Sequence, residues 1–215
     1  MTAPRRSFRR ENPDARKDAL IHAALSLIAR RGPGAATVRA IAEEAGVTQG
    51  LIRHYFTTKE DLLNAAYQFH MQAQTEAIEG LVALGPAGAR QRLARMVATS
   101  VSLPVAAPEA LSLWAGFIHM VWRDPAMHAT HERSYLRYRD LLQAHIASAL
   151  DEAGRAVPPQ EARTLAIACN AVLDGLWLEA GALPEAFGKG ELVRIGLRSV
   201  GAILGLELSS DEAGA

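Results

Sequence analysis

The chain of 215 residues has one cysteine, Cys169, so it can form neither an internal disulfide nor a metal centre built on paired cysteines. Ala, Ile and Val surround that cysteine in a helical pattern, where a thiol acts as a small inert hydrophobe in a reducing compartment. No uninterrupted apolar run reaches the roughly 18 residues of a membrane span, and the arginine-rich start leads into no apolar secretory segment. A cytoplasmic protein away from membranes is expected. Catalytic signatures are equally scarce. The chain has no glycine-rich phosphate loop, no Gly-x-Ser-x-Gly elbow and no Glu-x-x-His word of a di-iron bundle. No segment alternates apolar and polar residues, and no repeat of about 20 to 50 residues occurs. Strands and solenoids are thereby excluded, and an all-α fold of about nine helices is expected.

Net charge is also missing, with 23 Lys and Arg against 23 Asp and Glu, but its distribution is uneven. Residues 1–60 hold eleven basic residues and six acidic ones, an excess of five positive charges that the remainder must offset. A basic head on an acidic body suits phosphate contacts, which supply most non-specific affinity for DNA. An ordinary solvated surface can show the same imbalance. The basic RRSFRR arm at the start lies along DNA or is a free tail.

Within this head, Asn12 and Pro13 give a cap and a first turn, followed by the apolar stripe Ile21, Ala24, Leu25 and Ile28. Thr37 then caps a helix whose Val38, Ile41, Ala42 and Ala45 fall on one face, and Gly46 supplies a left-handed stop. Thr48 caps a second short helix that buries Ile52, Tyr55 and Phe56 while leaving Gln49, Gly50, Arg53 and His54 outward. This is a helix-turn-helix, in which the second helix reads base edges in the major groove. Base contact is assigned to Gln49, Gly50 and Arg53; Thr37, Thr48, His54, Tyr55 and Lys59 border the same helix and are assigned to phosphates.

The words IAEEAGVTQG, HYF and TKEDLL, between Ala19 and Ala65, resemble the N-terminal domain of TetR-family transcriptional repressors. Arg53 stands where family members often carry tyrosine. Farther on, LWAGFIHMVWRDPAMHATHERSYLRYRDLL and NAVLDGLWLEAGAL resemble the C-terminal domain of the choline-responsive BetI regulators. The resemblance implies a homodimer on palindromic operator DNA and a small-molecule effector, choline or another quaternary ammonium, with no cofactor.

Thr58 and Asp61 form a capping-box variant that opens a long helix to about residue 84 through Leu62, Ala66, Phe69 and Ala73. Breaks at Gly85-Pro86, Pro104 to Pro108, Asp124-Pro125, Gly154 to Pro159 and Gly181 to Gly190 then delimit helices near 87–102, 109–123, 126–152, 160–180 and 190–206. The expected division is a DNA-binding head over 1–57, a ligand-binding and dimerisation body over 58–207, and a disordered tail over 208–215. The apolar sets of the last two helices, Leu165, Cys169, Val172, Leu173 and Leu176 with Leu192, Ile195, Val200, Ile203 and Leu204, are expected to pair across a two-fold axis as a four-helix bundle.

Aromatic residues make up 6% of the chain, so their concentration in the body is informative. Trp114, Phe117 and Trp122 share one helix, Tyr135 and Tyr138 the next, and Trp177 another, each set read as lying on one face. Ring faces hold a methyl-shielded ammonium at about 0.5–2 kcal/mol each, and Asp174 could add negative charge. The same residues could instead fill a core, and Asp174 and Glu179 could pair with arginines across a subunit interface. His128 and His131, with His119 or His145, offer a weaker metal-site alternative. The leading expectation is a ligand-responsive repressor. A TetR-type regulator of an unrelated small molecule, a metal-dependent helical enzyme and a ligand-free DNA-binding protein are the rivals.

Overall fold

A computed structural model describes residues 13–84 and 88–209. The basic arm, the Asn12 cap and the break at Gly85-Pro86 lie outside these residues, as do 210–215. Nine α-helices are present among the described residues: α1 (Pro13–Arg31), α2 (Val38–Glu44), α3 (Gln49–Tyr55), α4 (Lys59–Val82), α5 (Ala89–Ser100), α6 (Pro108–Val121), α7 (Pro125–Glu152), α8 (Pro159–Ala182) and α9 (Glu191–Leu204). Two short 3-10 turns, Pro33–Ala35 and Pro184–Ala186, occupy breaks where the sequence pattern predicts only loop.

The boundaries follow local chemistry. Thr37 Oγ1 accepts from the Ala40 amide at 3.2 Å, which caps α2. Gly46, at φ 65°, takes the left-handed turn into α3 that a side chain would resist. Thr58 and Asp61 complete the capping box of α4, with bonds of 2.9 and 3.0 Å. Asp124 caps α7 through the amides of Ala126 and Met127, and proline occupies the first turn of α6, α7 and α8. Thr48 sits at the cap position of α3, but its side chain makes no capping bond, so the expected side-chain cap is absent.

Two apolar clusters organise the chain. The first joins α1, α2 and α3 to the N-terminal half of α4, and its fully buried members include Leu20, Ile28, Ile41 and Leu62. Burying each such side chain stabilises the fold by about 1.5–3 kcal/mol. The same cluster takes in Leu113, Phe117 and Val121 of α6 and Met127 of α7, so the head is seated on the body by α6. The second cluster joins α4 and α5 to α7, α8 and α9 around Leu93, Met96, Leu142, Ile146 and Val200.

Several expected placements change. On α4 the buried stripe runs through Leu62, Leu63, Ala66, Tyr67, Thr75, Ile78 and Val82. Phe69 instead rests edge-on against His22 at the surface, and Ala73 is exposed. Leu208 packs against the second cluster, so this first residue of the expected tail belongs to the body. On α8 and α9, Cys169, Leu173, Val200 and Leu204 are consumed by the protomer's own core. The outward stripe consists of Ile167, Ala171, Gly175 and Leu178 on α8 and Ile195 and Ala202 on α9. By length and composition α8 resembles a membrane span, yet it packs against α6, α7 and α9 and carries Asn170 and Asp174.

Candidate functional site

The head presents one polar face. Gln49, Gly50, Arg53 and His54 are exposed on α3, while Ile52 and Phe56 are buried in the head core. Tyr55 is half-buried against the head core, its ring edge-on to His54 at 5.0 Å, so its hydroxyl rather than its ring is left for an outside contact. Thr37 and Thr48 are exposed at the starts of α2 and α3. Lys59, the first residue of α4, lies 3.8 Å from the Glu60 carboxylate and is half-buried. All eight residues assigned to DNA thus gather around α3. Acidic charge on α2 is partly offset, because Glu44 accepts from Arg30 and from Ser26 of α1, and the Arg30 bond holds its carboxyl below the usual range.

Gly50 has a negative φ, and a Cβ built there would meet only Thr48 Oγ1, at an ordinary 3.8 Å. Nothing inside the head requires glycine at this place.

The body holds a cavity of about 100 Å³ between α4, α6, α7 and α8. Its walls include Trp114, Tyr135, Tyr138, Asp174 and Trp177 among the residues expected from sequence, together with Met71, Gln74, Thr75, Ile78, Ser100, Val105 and Leu173. Phe117 and Trp122 are not in it. Phe117 lies a turn from Trp114 but points into the head core, fully buried, 4.8 Å from the Tyr67 ring. Trp122 follows the last turn of α6 and is 78% exposed, edge-on to His128. Three-residue spacing displaces side chains by about 60° around a helix, enough for Trp114 and Phe117 to enter different cores.

Three of the four aromatic polar tips around the cavity are occupied. Trp177 Nε1 donates to the Val105 carbonyl at 2.8 Å. Ser100 Oγ gives its proton to the Met96 carbonyl, so Tyr138 donates to Ser100 across 2.9 Å. Tyr135 donates to Asp174 Oδ2 at 2.5 Å and accepts from Asn170 Nδ2 at 2.6 Å; Asn170 also donates to Asp174. Beside these engaged tips, Trp114 and Trp177 meet edge to face at 6.1 Å. Burial pushes the Asp174 carboxyl up, while the bonds from Tyr135 and Asn170 pull it back. The Tyr135 hydroxyl is raised to about 12, chiefly by burial and then by Asp174. No Lys or Arg pairs with Asp174 among the described residues. Such a site favours a compact cation.

From this wall a second connection leads toward the head. His131 stacks on Tyr135 at 5.7 Å, and its Nδ1 shares a hydrogen bond with the hydroxyl of Tyr67, whose ring lies in the head core. Burial, and then the charge of His128, keep His131 below its ordinary pKa. Asn170, Gln74 and His131 carry no motif in the sequence. A polar residue on an otherwise apolar helical face is the only signal they give. The alternative histidine metal site does not assemble: His131 is engaged with Tyr67 and His128 with Trp122, and no group of three ligand-type residues occurs among the described residues.

Comparison with known proteins places both halves. Residues 20–66 match the family described as bacterial regulatory proteins, tetR family, and residues 89–205 match the BetI-type transcriptional repressor C-terminal domain. The HTH-type transcriptional regulator BetI of Proteus mirabilis is 31% identical over 183 residues, covering 84% of this chain and 87% of that protein. Among solved structures, a transcriptional regulator from Pseudomonas aeruginosa PAO1 superposes with a TM-score of 0.83 at 34% identity, covering 93% of this chain and 95% of the other. A regulator from Saccharomonospora viridis, determined in complex with choline, has a TM-score of 0.72 at 22% identity over 86% of this chain and 94% of its own.

Proposed function

The chain belongs to the TetR family of bacterial transcriptional regulators, with the C-terminal domain of the BetI-type repressors, and we propose that it is a homodimeric repressor whose hold on operator DNA is set by a quaternary ammonium, choline first among them. It is a transcriptional repressor rather than an enzyme. The carrying observation for the ligand is the cavity lined by four aromatic rings, three of them with their polar tips bound to protein, beside an Asp174 carboxylate without a cationic partner. A methyl-shielded ammonium needs those faces and few hydrogen bonds, whereas a primary amine or a free carboxylate needs more donors and acceptors than the walls provide. Size points the same way. About 100 Å³ is well below the roughly 300–1,000 Å³ of drug-sized pockets, so a compact ligand is favoured. The S. viridis protein of the same fold, in complex with choline, supports the assignment.

Residues 1–57 act as the DNA-reading head and 58–208 as the sensing and dimerising body. Gln49, Gly50 and Arg53 take the base edges; Thr37, Thr48, His54, Tyr55 and Lys59 take the phosphates. Two protomers pair through the outward stripe of α8 and α9, whose exposed Ile167, Leu178 and Ile195 await cover. Half-sites on successive turns require recognition helices about 34–36 Å apart, so a small rotation of α4 spoils simultaneous docking. Like other repressors of chromosomal operators, it works in the cytoplasm. Calorimetry with choline, betaine aldehyde and glycine betaine tests the ligand class: binding below millimolar is expected, and its absence for all three removes the quaternary ammonium assignment while the repressor assignment stands.

A further inference from the structure

Most polar groups on the walls of the cavity are hydrogen-bonded within the protein. Thr75 Oγ1 is returned to the Met71 carbonyl, and the tips of Trp177, Tyr138 and Tyr135 are engaged as described. Gln74, on the α4 wall, has a buried Nε2 that finds no hydrogen-bond partner among the described residues. A buried amide donor left unmatched destabilises a fold, whereas a leucine or methionine of similar volume at this place would not. Turning the amide over removes nothing, because it exchanges an orphan donor for an orphan acceptor.

We infer that Gln74 is the specificity-determining residue of the cavity, selecting cations that carry an oxygen beside the ammonium head over purely alkylated ones. The inference rests on the cation reading of the site and adds what the other end of the ligand must be. The aromatic faces and the Asp174 carboxylate serve the charged head, and neither a ring face nor a carboxylate donates a hydrogen bond to a ligand oxygen. Gln74 Nε2 donates to such an oxygen, and a ligand hydroxyl can also donate to Gln74 Oε1. A site with a polar group that only the right ligand satisfies rejects the analogue lacking that atom far better than an apolar wall does.

Choline and propyltrimethylammonium differ only in a hydroxyl replaced by a methyl, and so make the test. Calorimetry on the full-length protein is expected to show choline bound about tenfold more tightly. In Gln74→Leu the two affinities should converge, with propyltrimethylammonium bound as well as before or better. The ligand-free variant should melt no lower than the wild type, since an unpaired donor has been removed. Gln74→Met, unbranched and of similar length, gives the same readout if leucine is poorly accommodated by the α4 wall. Equal binding of both cations by the wild type, or an undiminished preference in the variants, overturns the role of Gln74 and leaves the cation site standing. Failure of both cations to bind overturns the cation site and the role of Gln74 together.

Discussion

The Tyr67 hydroxyl of α4 lies 2.6 Å from Nδ1 of His131 on α7, a hydrogen bond that ties the head core to the helix forming one wall of the cavity. On its other side His131 stacks against Tyr135, the residue that holds Asp174, while Tyr67 packs on Phe117 of α6. A cation that draws the Asp174 carboxylate toward itself must shift Tyr135, and the stacked imidazole moves with it. Asp174, Tyr135, His131 and Tyr67 thus form one chain of contacts from the cavity wall to the head core.

Tyr67→Phe removes that bond while keeping the ring in the core. Ligand affinity measured by calorimetry should change little. The ratio of operator affinities without and with ligand should fall by about 2- to 30-fold, the range expected when a coupling element is weakened by 0.5–2 kcal/mol. An unaltered ratio would show that the signal travels elsewhere, for instance through the close contact of Gly116 on α6 with Ile28 of α1.

Gly50→Ala should separate folding from reading. The added methyl meets nothing closer than 3.8 Å within the head, and alanine is favoured over glycine inside a helix by about 0.5–1 kcal/mol. Thermal unfolding should therefore move upward. Operator affinity should drop, because the methyl stands where DNA approaches. A variant that is more stable and binds normally would take Gly50 out of the interface.

Lys59→Ala should lower the slope of log affinity against log salt by about one unit per subunit, because one phosphate contact is lost. Arg53→Ala is a different case: if Arg53 reads a guanine in bidentate fashion, specific binding weakens by about 1–3 kcal/mol and discrimination relaxes at one base pair. Titrations on operator and random DNA across a salt series check both. Loss of affinity on both DNAs alike would place Arg53 on phosphate instead.

The head was readable in the sequence because its signals are local. Thr37, Gly46 and the Thr58–Asp61 pair each act within a few residues, and the structure places them as caps and stop. Thr48 shows the limit, since a cap position does not guarantee a capping bond. The cavity was half readable. Trp114 and Trp177 announce themselves by size, but whether a ring on α6 enters the cavity or the head core depends on a rotation of about 60° that residue spacing alone does not settle. Phe117 and Trp122 were misplaced for that reason. Gln74, Ser100 and Asn170 matter through partners on other helices, and so were missed.

Acid should weaken the fold through buried histidines. Burial lowers His70 to about 4, and burial also lowers His131 and His145. The unfolded chain, with histidines near 6.5, binds protons first as the pH falls, so stability present above about pH 6.5 is lost on the way to pH 4. The His70 shift alone corresponds to roughly 3 kcal/mol. Denaturant unfolding at stepped pH should show this decline, and His70→Gln should flatten part of it. A wild-type profile that is level from pH 7 to pH 4.5 would contradict the burial of these rings as neutral groups.

The most direct test is operator affinity of the dimer measured with and without saturating choline, side by side for the wild type and for Asp174→Asn with Trp177→Ala. A coupling of about 1–3 kcal/mol gives a 5- to 150-fold change for the wild type, and the double variant should show none because the cation no longer binds. If calorimetry confirms choline in the wild-type cavity and operator affinity nevertheless stays constant, the cavity does not control the DNA-reading head.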